Sequence, residues 1–191
     1  GRGFIDFSHA PFVWWPPLFP LLLAGISGIT RADVFRIGWF VNVLLAGVNV
    51  ALSVIFFYRI FRNTMWTYFG VAIFAASPGM MKLATNIGSD SLFITFILIS
   101  LLILGIGEAI SRKQFAWLCI VAALACLQRY LGVALVLGAA ISIFRESKET
   151  IVSRFRNAAV FSAVALAPLG VWVLAHNYLA YHTLFGPRNY V

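Results

Sequence analysis

The chain has 191 residues, 62% of them hydrophobic and 10% charged, with a formal net charge of +8. A soluble domain carries about 25% charged residues, so this composition cannot cover a water-facing surface. The apolar runs are continuous rather than alternating, which excludes a transmembrane β-barrel and leaves an all-α, polytopic transmembrane helical bundle.

Taken in chain order, "GRGF" at Gly1–Phe4 has neither an initiator methionine nor the pattern of a signal peptide. The chain also stops abruptly at "GPRNYV", so a fragment of a longer protein is expected. Apolar segments then follow at Pro16–Ile29, Gly38–Tyr58, Trp66–Met81, Ser91–Gly107, Phe115–Leu127, Leu131–Phe144 and Ala158–Tyr178. A span needs about 20 apolar residues. The second and last segments qualify outright and the third and fourth with their flanks, while the first, fifth and sixth are short. About five or six spans and one short juxtamembrane helix result. The whole chain, 1–191, reads as one membrane domain: an outer loop and juxtamembrane segment over 1–37, transmembrane helices over 38–178 and an outer loop over 179–191.

Three loops carry eight of the fourteen lysines and arginines: Arg59 and Arg62, then Arg112 and Lys113, then Arg145, Lys148, Arg154 and Arg156. Short basic loops face the cytoplasm, so the net positive charge reports topology and not nucleic-acid binding. "KLATNIGSD", the "QRY" tip at Gln128–Tyr130 and "YHTLFGPRNY" then fall on the extracytoplasmic side. The first segment opens with prolines, which suit only the first turn of a helix, and reads as a short helix at the outer leaflet. Trp14, Trp15, Trp39, Trp66 and Trp117 stand at segment starts, as interfacial aromatic belts do. Cys119 and Cys126 lie in one apolar run and read as buried thiols.

The chemistry rests on polar residues of the outer side. Asp90 is the only acid between Asp33 and Glu108; it stands at a helix start, where it could serve as a cap alone or as a working carboxylate. Arg129 lies between two apolar runs. An arginine at membrane depth costs at least about 2.5–3.5 kcal/mol, so it must snorkel, pair, or face a wet cavity holding an anion, above all a phosphate. If the runs on either side formed one helix, it would lie mid-membrane. Lys82 either anchors a helix end at the headgroups or adds a second positive charge beside Asp90. Arg188 is either an exposed loop residue or a further cation on the same face. His9 and His182 have no metal-ligand spacing, and no Gly-rich phosphate loop or serine elbow appears. One acid with several cations suits a lipid phosphate: the cations hold it as leaving group, and the carboxylate acts as base or holds a divalent metal ion.

These residues sit in stretches that resemble a known family. "GRGF...WWPPLFPLLLAGISG" looks like the end of the first outer loop of the GT-C membrane glycosyltransferases, in the branch of bacterial relatives of protein O-mannosyltransferases and aminoarabinose transferases (glycosyltransferase families 39 and 83). "ASPGMMKLATNIGSDSLF" resembles its third span and second outer loop, "QRYLGVALVLGAAI" its "TRxxGL" helix, and "PLGVWVLAHNYLAYHTLFGPR" its "PxxxWxxRNYxxxGxxxGxR" stretch. The chain departs at His176, where the family usually has arginine, and at Tyr181-His182, where a glycine is common. The resemblance implies transfer of a sugar from a polyprenyl-phosphate donor to a lipid, glycan or protein acceptor. The expected setting is the extracytoplasmic face of the plasma (inner) membrane, part of the cell envelope, among membrane lipids. It places Asp90 at the second acidic position of the family and Arg129 at the arginine of "TRxxG", while Lys82 has no counterpart in the pattern; on the charge reading of the outer face, Arg129, Lys82 and Arg188 would bind the donor phosphate. The principal catalytic aspartate is expected upstream of Gly1, so Asp6, which follows "GRGF", does not take that role, and the 191 residues alone are expected to be inactive. The competing reading is a secondary transporter or flippase for an anionic lipid or solute, which would show paired broken spans; one Pro-Gly break, at Pro78-Gly79, is visible. A non-catalytic membrane scaffold, with the outer charges as rim residues, is the third.

Overall fold

The computed structural model describes residues 16–105, 110–145, 150–178 and 182. They form eight α-helices: α1 Leu18–Thr30, α2 Val34–Phe61, α3 Thr64–Ala75, α4 Pro78–Thr85, α5 Asp90–Leu104, α6 Arg112–Gln128, α7 Gly132–Phe144 and α8 Ile151–Trp172. A π-helical turn, Val173–Tyr178, extends α8. The described residues contain no strand, so the all-α expectation holds.

Polar side chains set the starts. Asp33 accepts from the amides of Phe35 and Arg36, and Asn63 from those of Met65 and Trp66. Ser111 and Gln114 form a reciprocal capping box. The predicted segment Trp66–Met81 is split in two. Pro78 has no N–H to continue α3, and Ser77 turns the chain instead. Its hydroxyl donates to the carbonyl of Phe74 (2.8 Å) and accepts from the amide of Met80 (3.3 Å), ending one helix and capping the next.

Two helices are long and apolar enough to cross a membrane, Val34–Phe61 and the run Ile151–Tyr178. They are the two that the sequence marks outright. Both are mostly exposed in the fold, as lipid-facing helices are. Other apolar helices are shorter: α3 has 12 residues, α5 15 and α7 13. The runs Phe115–Leu127 and Leu131–Phe144 are two helices and not one, because Arg129 leaves α6 in an extended conformation (φ −151°, ψ 144°). The amides of Gly132, Val133 and Ala134 then bond to the carbonyls of Arg129, Tyr130 and Leu131 and start α7.

The main core lies among the last three helices. Leu118, Ala122 and Cys126 of α6 meet Val136 and Ala139 of α7 and Phe161 and Ala165 of α8, all at most 1% exposed. Small residues there let helices approach closely, the usual device for packing within a membrane. Cys119 and Cys126 are buried free thiols in this core.

A second seam is polar. α2 carries Asn42, Asn49 and Ser53, all buried. Asn42 Nδ2 donates to the carbonyl of Asn86 (2.8 Å) and Asn49 Nδ2 to that of Ser91 (2.9 Å), while Thr95 Oγ1 donates to Asn49 Oδ1 (2.8 Å). These bonds pin the loop between α4 and α5 and the opening turns of α5. Asn49→Leu is expected to cost about 1 kcal/mol, measured as a lower thermal-unfolding midpoint in detergent. Combined with Thr95→Val, the two losses should add to less than their sum; strict additivity would show that the pair is not coupled.

The helices have two distinct ends. At one, Arg59 Nη1 donates to the carbonyl of Leu102 (2.8 Å), joining the base of α2 to the C-terminus of α5. At the other lie the loop 86–89 and the turn 129–131, and Asn177 Nδ2 bonds the Tyr130 hydroxyl (3.1 Å). α1 covers this second end: Phe19 and Leu23 pack on Ile37, Val41 and Leu92, the opening turns of α2 and α5. Gly38 of α2 lets the loop 86–89 lie close, since a Cβ there would lie 2.8 Å from Cγ2 of Ile87. At about 20 Å, α1 is shorter than the ~30 Å hydrocarbon core.

Candidate functional site

The second end carries the predicted charges. Asp90 is the first residue of α5, and the side chain of Ser89 before it makes no capping bond. The carboxylate of Asp90 pairs with the guanidinium of Arg129 through Oδ1 and Nη1. Asp90 is therefore more than a cap, although it also sits where a helix N-terminus favours negative charge. Arg129 is paired, one of the routes open to an arginine between apolar runs. The side chains are 40% and 27% exposed respectively, so a ligand can reach them. Asp90 Oδ1 is buried against the arginine, which leaves Oδ2 as the more accessible oxygen.

Two clefts share this pair. One, of about 530 Å³, runs between α4 and α5 and is walled by Gly79, Lys82 and Leu83 on one side and Phe93, Ile94 and Ile97 on the other. Its apolar wall extends seven residues beyond Asp90, about 10 Å along α5. Lys82 thus lines the same cleft as Asp90 and Arg129. The other cleft, of about 300 Å³, is walled by Pro16, Phe19 and Pro20 and by Ser89 and Gln128. The proline-rich entry to α1 is part of this wall. Arg188, Asp6, His9, Trp14 and Trp15 lie outside the described residues. His176 is stacked on Trp172, with ring centroids 4.1 Å apart, in the π-helical turn.

Sequence reasoning passed over the amides that hold the site. Gln128 Nε2 donates to the carbonyl of Ser89 (2.8 Å), while its neighbour Arg129 grips Asp90. Consecutive residues of α6 and its cap thus hold consecutive residues at the start of α5. From α2, Asn42 braces the loop before α5 and Asn49 braces the opening turns of α5. Their signal was present: two asparagines seven apart, on one face of an otherwise apolar helix, need partners.

A divalent metal fits the described residues poorly. No group of three or more histidine, cysteine, aspartate or glutamate side chains is placed among them to hold one, and the bound oxygen of Asp90 faces a cation already. A metal at Asp90 would need its other ligands from outside the described residues.

Comparison with known proteins gives a family. The model described as dolichyl-phosphate-mannose-protein mannosyltransferase matches residues 15–172, a range that takes in Lys82, Asp90, Gln128 and Arg129 and ends before Arg188. No curated protein and no solved structure matches the chain. The match covers most of the chain and agrees with its apolar helices: the chain belongs to the dolichyl-phosphate-mannose-protein mannosyltransferase family of GT-C membrane glycosyltransferases.

Proposed function

We propose that this domain serves the transfer of a sugar from a polyprenyl-phosphate donor to a lipid, glycan or protein acceptor, on the extracytoplasmic face of the plasma membrane. The observation that carries the reading is the half-exposed Asp90–Arg129 pair at the meeting of two clefts. One cleft has a long apolar wall and a lysine at its mouth, which suits the isoprenoid chain of a lipid phosphate. The basic loops at the opposite end from Asp90 support the assignment of the face, and the short apolar helices would complete five or six spans with their flanks.

In such a transfer the bond between sugar C1 and the phosphate oxygen breaks, and a bond from C1 to the acceptor hydroxyl oxygen forms. The hydroxyl proton passes to a base, and the lipid phosphate leaves with the bonding electrons. Arg129 and Lys82 hold the departing phosphate, where charge grows in the transition state. A phosphate that takes over the Arg129 guanidinium releases the Asp90 carboxylate, which then stands beside the reacting sugar and can accept the proton.

The test uses the full-length protein in lipid nanodiscs with labelled polyprenyl-phosphate sugars. Release of polyprenyl phosphate and transfer of the label are expected. Lys82→Ala should raise the donor KM about tenfold while kcat falls less, because a lysine at the cleft mouth contributes mainly to binding. If folded protein releases no polyprenyl phosphate from any sugar donor, the reading fails.

A further inference from the structure

The amide of Gln128 has one half in use and one half free. Its partner at 2.8 Å is the carbonyl of Ser89, which can only accept. The NH2 group must therefore face Ser89, and this fixes Oε1 as the remaining end. That oxygen has no hydrogen-bond partner, although the residue is 1% exposed. A buried acceptor without a donor is costly, and Gln128 lines the 300 Å³ cleft opposite Pro16 and Phe19. The next residue, Arg129, lines both clefts.

We infer that Gln128 is a specificity-determining residue that accepts a hydrogen bond from one ring hydroxyl of the sugar being transferred. The inference rests on the polyprenyl-phosphate reading above. A glycosyl phosphate places its sugar one bond from the phosphate oxygen, so a phosphate held at Arg129 brings the ring within reach of the adjacent glutamine. The cleft is at the small end of the range for ligand sites, and apolar walls with few polar groups are the usual way to orient a small polar ligand. Proline and phenylalanine walls give the ring faces something to pack against, and the glutamine reads one hydroxyl. A site that holds a polar group for a substrate hydroxyl discriminates strongly against the substrate that lacks it, because the site's own group is then left unpaired.

The experiment measures kcat/KM of the full-length protein with its polyprenyl-phosphate sugar and with a panel of donors each lacking one ring hydroxyl. For the unaltered protein, one deletion should cost about tenfold or more and the others much less. In Gln128→Met that same deletion should cost almost nothing further, while the deletions at other positions keep their cost. A purely structural role for Gln128 predicts a uniform loss across the panel, with the hydroxyl penalty unchanged in the variant; that result overturns the inference. It is also overturned if the unaltered protein tolerates every single deletion within about threefold, a readout that needs no variant to fold. If no polyprenyl-phosphate sugar is used at all, the reading beneath it falls and this inference falls with it.

Discussion

Arg129→Ala is expected to lower sugar transfer by about 100- to 1,000-fold while leaving the protein folded. The two effects separate because the pair is half exposed. Asp90 loses its partner but keeps contact with solvent and with the N-terminus of α5, so the stability loss should stay within about 1 kcal/mol, as for surface ion pairs. The transition state has no such relief. A leaving phosphate gathers charge in a cleft walled by Phe93, Ile94 and Ile97, where a fixed cation counts for more than in water. Arg129→Lys should fall between the two, since lysine restores the charge without the planar fork that can hold two phosphate oxygens at once. Asp90→Asn keeps the shape of the pair and removes the charge and the base. Its loss should appear in kcat more than in donor KM. Steady-state kinetics in nanodiscs, with thermal unfolding in parallel, reads all three. Turnover of Arg129→Ala within threefold of the unaltered protein would remove the arginine from the mechanism.

The two charges were legible in the sequence, but their pairing only as one option among several. A lone acid at a helix start could be a cap alone and a lone arginine between apolar runs could snorkel or face an anion, while the loop charges put both at one end of the bundle. The Pro78 break and the proline-rich entry to α1 were legible too, because a residue without an N–H can occupy few positions. The separation of α6 from α7 was legible as a polar tip, Gln128–Tyr130, between two apolar runs, with one long helix as the alternative; the backbone decides for two helices, because Arg129 turns extended there. Asn42, Asn49 and Gln128 escaped. Their role is to donate to backbone carbonyls 39 to 44 residues away, and a carbonyl carries no side-chain signature. The site was therefore readable where charge is scarce and expensive; buried amides signal that partners are needed, but not which main-chain carbonyl supplies them.

The tightest contact in the site's support is at Gly132, and Gly132→Ala is expected to be the most disruptive small substitution in the hairpin. An added Cβ would lie 2.6 Å from both Cα and N of Cys126 and 2.7 Å from the carbonyl carbon of Ala125. Ordinary contact begins near 3.4 Å. The atoms it would strike are backbone atoms in the last turn of α6, where Ala125 and Cys126 are fully buried, so no side chain can rotate out of the way. α7 must instead move away from α6 by most of an ångström. Overpacking of this kind costs about 1–3 kcal/mol, and the shift falls on the turn that carries Gln128 and Arg129 to Ser89 and Asp90. Misplacement by about 1 Å at a reacting centre can cost about 100-fold in rate. Gly138, also in α7, is the internal control: a Cβ there meets nothing within 4 Å, and alanine in a helix interior gains about 0.5–1 kcal/mol over glycine. Gly132→Ala should therefore lower both the unfolding midpoint and turnover, while Gly138→Ala leaves turnover unchanged and the midpoint equal or higher. If the two variants behave alike, the close approach of α7 to α6 does not hold the Asp90–Arg129 pair in place.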